Sequence, residues 1–152
     1  MAVMEELQEI SMEGFRVVSV DMFSRHTWTV VPMITLWSSH IAFSKAAVNA
    51  LNNCERIRME VNAQSKKILL VPVSTKDKDG IRWMTTGKTP HGRKIECHAF
   101  AEKLYESWGW DKDMVYRAKG RIVTSDSKVL LLFDFTSAEC WPLGDKTKVR
   151  DA

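Results

Sequence analysis

The sequence predicts a β-rich α+β domain in which two similar strand–helix–hairpin units share one core, with an added N-terminal strand region. The first unit spans residues 40–74, and a degenerate second copy spans residues 94–137. Each contains an apolar strand, a short amphipathic helix, an alternating strand, a tight turn and an almost wholly apolar strand. Such self-similarity indicates a repeated structural unit.

The repeat depends on two constant spacings. Three apolar positions recur at an offset of 54 residues, and the closing hairpins recur at an offset of 62, as QSKKILL at 64–70 and DSKVLLL at 126–132. The additional residues of the second unit fall near 108–111, where the chain leaves a helix and insertions are tolerated. The recurring apolar pairs are Ile41 and Ile95, Ala47 and Ala101, and Leu51 and Tyr105.

The chain is predicted to form one compact domain between two flexible tails. A length of 152 residues suits a single domain. We expect the domain at residues 15–141, with a polar, turn-rich connector at 75–93 between the two units. The tails are the acidic residues 1–14 and the polar residues 142–152.

The N-terminal region is predicted to add strands to the core. Residues 15–23 are rich in valine and phenylalanine and have high β-propensity. Residues 27–37 indicate one or two further strands, interrupted at Pro32 because proline cannot donate a hydrogen bond to its neighbour.

The first unit has clear boundary signals. Ser44 is the expected N-cap of its helix, and Asn52-Asn53 the expected left-handed end. Residues 56–61 alternate between apolar and charged side chains, which predicts a strand with one buried face. Residues 67–73 are nearly all apolar, which predicts a central strand.

The second unit repeats this order with a longer helix. That helix is predicted at residues 97–108, with apolar positions spaced for one buried face. The following strand, residues 114–124, carries Arg117, Lys119 and Arg121 on one face.

The pattern of residues 41–51, 56–61 and 67–72 resembles the AbrB/MazE-like swapped-hairpin module. That family runs strand, one-turn helix ending in leucine, strand, turn and strand closing near a proline. The resemblance implies a bacterial DNA-binding regulator, here a monomer with pseudo-twofold symmetry or a homodimer. The family's proline at the helix start is replaced by Ser44 or Phe43, and its basic glycine-containing loop by residues 37–40. The chain is also similar, more weakly, to accessory proteins of phages and mobile elements.

The distribution of charge favours an anionic partner. The net charge is only +3, but residues 56–128 hold 16 Lys and Arg against 9 Asp and Glu. If the two middle strands were neighbours, their basic side chains would form one face able to contact DNA phosphates, with the connector as a clamp. The alternative is an ordinary solvated strand face. The candidate DNA-binding residues are Arg56, Arg58, Lys88, Arg93, Lys94, Arg117, Lys119 and Arg121.

A second hypothesis is a non-enzymatic protein that binds and inhibits a host protein. Trp108 and Trp110 flank a glycine at the corner after the second helix, and tryptophan is enriched at interface hot spots. The alternative is internal packing of that corner.

Other functional classes lack support in the sequence. Gly87-Lys88-Thr89 has Arg82 where a P-loop needs glycine, and Pro90 follows at once. We therefore predict no enzyme, no cofactor and no metal site. Three widely spaced cysteines favour reduced thiols in the core of a cytoplasmic protein, and no apolar run is long enough to cross a membrane.

Overall fold

A computed structural model describes residues 7–18, 31–85 and 91–144. Strands account for 43% of the structure and helices for 17%, and the strands form a curled antiparallel half-barrel. The predicted fold class, an α+β domain of two strand–helix–hairpin units around a shared core, is therefore wrong. The strands belong to one continuous sheet, and the structure gives no evidence of repeat units.

The described residues form nine strands, two α-helices and one short 3-10 turn. Along the sheet the strand order is β5-β3-β4-β8-β7-β1-β2-β6, and β9 also pairs with β7. The strands are β1 (Met33–Leu36), β2 (His40–Phe43), β3 (Arg56–Asn62), β4 (Lys67–Val73), β5 (Ile81–Arg82), β6 (Lys94–Glu96), β7 (Met114–Ser125), β8 (Lys128–Asp134) and β9 (Glu139–Pro142). The helices are α1 (Lys45–Ala50) and α2 (His98–Trp108), and the 3-10 turn is Phe135–Ser137.

The two proposed repeat units differ in the neighbours of their strands. Strand β3 lies between β5 and β4, whereas β7 has β1 on one side and both β8 and β9 on the other. Their lengths differ too, with 7 residues in β3 and 12 in β7, and 6 in α1 and 11 in α2. Apolar periodicity shows which side chains face inward, but it does not show which strand lies alongside.

Strand β7 connects the two parts of the sheet because its two edges have different partners. One edge pairs with β1 through residues 116–119. The other pairs with β8 through residues 120–125 and with β9 through residues 114–117. Between β8 and β9 the chain turns away from β7 at Phe135–Ser137, which opens a gap beside the middle of β7.

The predicted connector is part of the sheet. Strands β5 and β6 are the two ends of the strand order, and the chain between them makes an antiparallel bridge from Met84 to Gly92. The Arg93 amide also donates to the Trp83 carbonyl at 2.9 Å. These contacts bring the two ends of the curled sheet together.

The helix boundaries largely confirm the local predictions. The side chain of Ser44 accepts a hydrogen bond from the Ala47 amide, so Ser44 is the N-cap of α1. After α1, residues 52–53 both have φ of 56°, the left-handed conformation expected of asparagine there. Helix α2 begins at His98, one residue later than predicted, and ends at Trp108, where Gly109 forms the C-cap with φ of 66°.

The main hydrophobic cluster lies on the inner face of the sheet, beneath both helices. On this face Ile57, Ile68 and Phe133 are fully buried. Tyr105 of α2 joins the same cluster, and its hydroxyl lies 2.9 Å from the Leu36 carbonyl and 2.8 Å from the Met114 carbonyl. Burial raises the pKa of Tyr105, with a smaller contribution from Tyr116, so the hydroxyl keeps the proton with which it donates to one of these carbonyls.

The ends of the strand region differ in part from the strands predicted there. Residues 15–18 form no strand, and Val17 is 99% exposed, while residues 19–23 lie outside the described residues. Of the one or two strands predicted at 27–37, one begins at Met33, directly after Pro32, and residues 27–30 lie outside the described residues. Pro142, which was assigned to the C-terminal tail, is the last residue of β9.

Replacing Asp134 with asparagine is expected to lower stability at neutral pH but not in acid. The Oδ1 atom of Asp134 accepts hydrogen bonds from the Thr136 hydroxyl at 2.6 Å and the Thr136 amide at 2.9 Å. These bonds, the hydroxyl's first, hold the pKa of Asp134 below its ordinary value of 3.8, with help from nearby Lys67 and Arg121. A carboxylate with a lowered folded-state pKa stabilises the fold above its unfolded pKa, and this contribution is lost as the pH falls through the folded pKa.

Urea unfolding of wild type and Asp134→Asn at neutral pH and at about pH 2, well below the unfolded pKa and towards the lowered folded pKa, checks this expectation. Glu102→Gln on the exposed side of α2 is the control for removal of one carboxylate. An Asp134→Asn deficit of equal size at both pH values would show that the charge of Asp134 is unimportant.

Candidate functional site

The outer face of the sheet is the face opposite the main hydrophobic cluster, on β3, β4, β5, β8 and residues 119–125 of β7. Registered partners in an antiparallel sheet point to the same side. A single row therefore crosses four strands of this face, from Glu60 through Leu69 and Leu132 to Arg121. Along each strand every second residue belongs to the same face.

The outer face carries more positive than negative charge. Its centre is aliphatic, with Leu69 and Leu132 half-buried, and its charged side chains surround that centre. Seven cationic and two acidic side chains of the described strands lie on it. The cationic residues are Arg56, Arg58, Lys67, Arg82, Lys119, Arg121 and Lys128, and the acidic residues are Glu60 and Asp134.

The assumption behind the predicted basic face is wrong in one respect, because β3 and β7 are not neighbours. Strands β4 and β8 lie between them. At about 4.8 Å per strand, the basic residues of β3 and β7 are separated by about 14 Å across the sheet. They therefore form two separate groups, the first on β3 and the second on β7, and not one continuous patch.

Arg58, in the first group, is partly neutralised. Its guanidinium lies 3.0 Å from Glu60 and 3.2 Å from Asp77. The hydrogen bonds that Arg58 donates to Glu60 raise the pKa of Arg58, and the charges of both carboxylates add to the effect. Since the pair is exposed to water it contributes little to stability, and a phosphate would have to compete with these carboxylates.

Three arginines from distant parts of the chain meet at the β5 edge of the sheet. Arg56 of β3 is the registered partner of Arg82 of β5. The Nη1 atom of Arg93 donates to the Arg82 carbonyl at 3.0 Å. Sequence reasoning missed Arg82, because its position beside Arg56 follows from a strand pairing that no local pattern indicates.

Lys94, another of the predicted basic residues of this segment, does not join this edge. Lys94 begins β6, at the other end of the strand order, and its ammonium lies 4.5 Å from the centroid of the Trp37 ring. Lys88 lies outside the described residues. Arg93 therefore contacts Arg82 at the β5 edge, whereas Lys94, the next residue, is the first residue of β6.

Arg117 is buried rather than displayed on the surface. It is 8% exposed, its Nη2 atom lies 2.9 Å from Glu139, and its guanidinium carbon lies 5.1 Å from the centroid of the Trp141 ring. The neighbouring strands β1 and β9 enclose this part of β7, whereas Lys119 and Arg121 are exposed. Of the three predicted basic residues of β7, only the last two can reach a large partner in this conformation.

The tryptophan corner packs against the protein's own core. Trp108 is 5% exposed, and its Nε1 atom donates to the Ala63 carbonyl at 3.1 Å. Trp110 stacks on Tyr116 with ring centroids 3.9 Å apart, and both tryptophans contact Phe135. Trp108 therefore offers almost no surface to a partner in this structure.

One catalytic-looking arrangement is a turn on the surface. The Ser39 hydroxyl lies 2.6 Å from Nδ1 of His40, and Nε2 of His40 lies 3.9 Å from Glu96. A general base needs an orienting partner at hydrogen-bond distance, but the histidine–glutamate distance is too long for a hydrogen bond and the Glu96 side chain is 75% exposed. We assign these contacts to stabilisation of the turn before β2.

The three cysteines are free thiols in different environments. Cys54 and Cys97 pack against the core, and burial raises the pKa of both thiols, which keeps them protonated and poorly nucleophilic at neutral pH. Cys140, predicted to be a core residue, is exposed.

Among the described residues, no three His, Cys, Asp or Glu side chains come together as a metal site. The helices of residues 7–18, 31–85 and 91–144 are all too short or too polar to span a bilayer.

Comparison with known proteins finds no matching family model, no matching curated protein and no matching solved structure. The resemblance to the AbrB/MazE-like module remains a prediction.

Proposed function

We propose that this protein binds nucleic acid, with duplex DNA as the expected partner, by docking the outer face of its sheet on the phosphate backbone. The observation that supports this proposal is the charge of that face, where five strands carry seven Lys and Arg side chains and two carboxylates, with Asp77 as a third carboxylate beside Arg58. Contacts between such side chains and phosphates supply most of the affinity in sequence-independent DNA binding.

The spacing of the cationic residues suits contact with two DNA backbones. Arg121 lies in the same row as Glu60, and Arg56 lies four residues further along β3. Three strand spacings across the sheet and four residues along it place Arg121 and Arg56 about 19 Å apart. This exceeds the width of the major groove, about 12 Å. The two cationic groups would therefore contact the backbones on the two sides of a groove.

The centre of the outer face favours low base selectivity. Leu69 and Leu132 lie between the two cationic groups and present neither donors nor acceptors to base edges. Since bases are discriminated by hydrogen bonds and methyl contacts in the grooves, we expect binding that depends on the backbone. The chain would then act as a small DNA-binding protein whose target is set by partners or by DNA shape.

Fluorescence anisotropy with a labelled duplex at about 50 and 200 mM salt tests the proposal. About four phosphate contacts would lower the affinity about 100-fold between these salt concentrations. The double variant Lys119→Gln/Arg121→Gln should bind more weakly and with a smaller salt dependence, because each lost phosphate contact reduces the slope by about one. Both side chains are exposed, so the fold should tolerate the change.

The matched control is Lys103→Gln/Lys112→Gln, which removes the same charge from exposed positions on α2 and the loop after it. If the control loses as much affinity as the β7 variant, the interaction follows net charge and not the outer face. An absence of binding at the lower salt concentration would rule out the proposed function.

A further inference from the structure

A small pocket opens on the side of β7 where β8 gives way to β9. The last registered pair of β7 and β8 joins Gly120 to Phe133, and the first pair of β7 and β9 joins Arg117 to Glu139. The 3-10 turn lies between the two pairings, so the chain there stands away from β7. The resulting cavity has a volume of about 290 Å³ and is lined by Arg117, Lys119, Asp134, Ser137 and Glu139.

The guanidinium of Arg117, a residue that lines this pocket, is incompletely paired. Its Nη2 atom meets Glu139 at 2.9 Å. Its Nε and Nη1 atoms are buried and have no hydrogen-bond acceptor among the described residues. Buried cationic groups normally have their donors paired, since leaving one unpaired costs about 1–3 kcal/mol or more. An oxyanion that displaced Glu139 in the pocket would supply acceptors to the guanidinium from the cavity side.

We propose that this pocket binds a phosphate group, with Arg117, Lys119 and Ser137 as its donors. The planar guanidinium matches the geometry of phosphate oxygens. The ammonium of Lys119 and the hydroxyl of Ser137 line the same cavity. A tetrahedral phosphate has enough oxygens to accept from all three side chains, whereas a carboxylate has two.

The carboxylate of Glu139 acts as an internal competitor for Arg117 in this proposal. Glu139 lies on β9, and its side chain is 48% exposed, so it can turn towards solvent without uncovering the main core. Asp134 also lines the pocket, but its Oδ1 atom is already engaged by the amide and hydroxyl of Thr136. Neutralising Glu139 should therefore favour phosphate more than it disturbs the fold.

The proposal does not rest on DNA binding, because it is tested with inorganic phosphate alone. Amide chemical shifts are followed by NMR during titration with sodium phosphate at constant ionic strength. We expect saturable shifts centred on residues 117–119 and 134–139. Glu139→Gln should tighten binding about tenfold, since it removes a like charge from the site. Lys119→Gln and Ser137→Ala, both at exposed positions, should weaken it.

Glu106→Gln is the matched control, because it removes one carboxylate from the exposed side of α2. A non-saturating titration, or an equal gain of affinity in Glu106→Gln and Glu139→Gln, would overturn the proposal. Competition by unlabelled duplex then identifies the source of the phosphate. Displacement assigns the pocket to the DNA backbone, and a lack of displacement assigns it to free phosphate or a small phosphorylated molecule.

Discussion

Replacing Gly92 with alanine is expected to lower the free energy of unfolding by about 3 kcal/mol or more, the upper end of the cost of overpacking. A Cβ atom at Gly92 would lie 1.9 Å from the carbonyl oxygen of Phe43 and 2.6 Å from its carbonyl carbon. These are backbone atoms of β2, which cannot move aside as the end of a side chain can. The bridge from Gly92 to Met84, which connects the two ends of the sheet, would have to break.

Gly109→Ala is the reference variant, because Gly109 has φ of +66° and open space around its Cβ position. Its expected cost is about 1 kcal/mol, from the left-handed backbone alone. Urea unfolding of both variants measures their free energies of unfolding. The difference between them separates the cost of the steric clash at Gly92 from the cost of a left-handed backbone conformation. A Gly92→Ala protein as stable as Gly109→Ala would show that the chain does not pass so close to β2.

The Gly92 variant also connects the fold to the proposed function. The contacts of residues 83–84 with residues 92–93 hold Arg93 beside Arg82 at the β5 edge. If the bridge is lost while the rest of the sheet survives, the arginine edge should lose its geometry before the Lys119 and Arg121 group does. DNA affinity would then fall in part, with the contribution of the second group retained.

Replacing Trp108 with alanine is expected to cost about 3–5 kcal/mol of unfolding free energy, the usual range for a buried aromatic residue. The ring is 5% exposed and packs on Trp110 and Phe135 with centroids 4.9 and 5.6 Å away. Its indole also bonds the Ala63 carbonyl and so connects the end of α2 to the turn between β3 and β4. Against a typical total stability of about 5–15 kcal/mol, this is a large fraction.

Two further variants divide this loss. Trp108→Phe keeps most of the packing, and it should lower the free energy of unfolding by about 1–2 kcal/mol because the indole hydrogen bond and some side-chain volume are lost. Leu143→Ala is the surface control: the side chain is 58% exposed, so its removal should change the free energy of unfolding by less than about 0.5 kcal/mol. Thermal and urea unfolding provide the comparison. If Trp108→Ala kept full stability and lost only a partner protein, the hypothesis of an interface anchor would replace core packing.

The sequence determined the local elements because the interactions that define them are local. Ser44 bonds an amide three residues away, and residues 52–53 take the left-handed conformation on their own. The alternation of residues 56–61 predicted which side of β3 is buried. The same locality produced the error of the internal repeat, since two segments with similar periodicity form similar elements whatever their neighbours are.

Only the tertiary structure decided which strands are adjacent, because pairing is set by burial and loop closure over the whole chain. This choice separated Arg56 from Arg121, brought Arg82 beside Arg56, and enclosed Arg117 between β1 and β9. The sequence therefore identified most of the basic residues but not their grouping. The phosphate pocket was beyond sequence reasoning for the same physical reason: it exists because one long strand changes partners where the chain turns away from it.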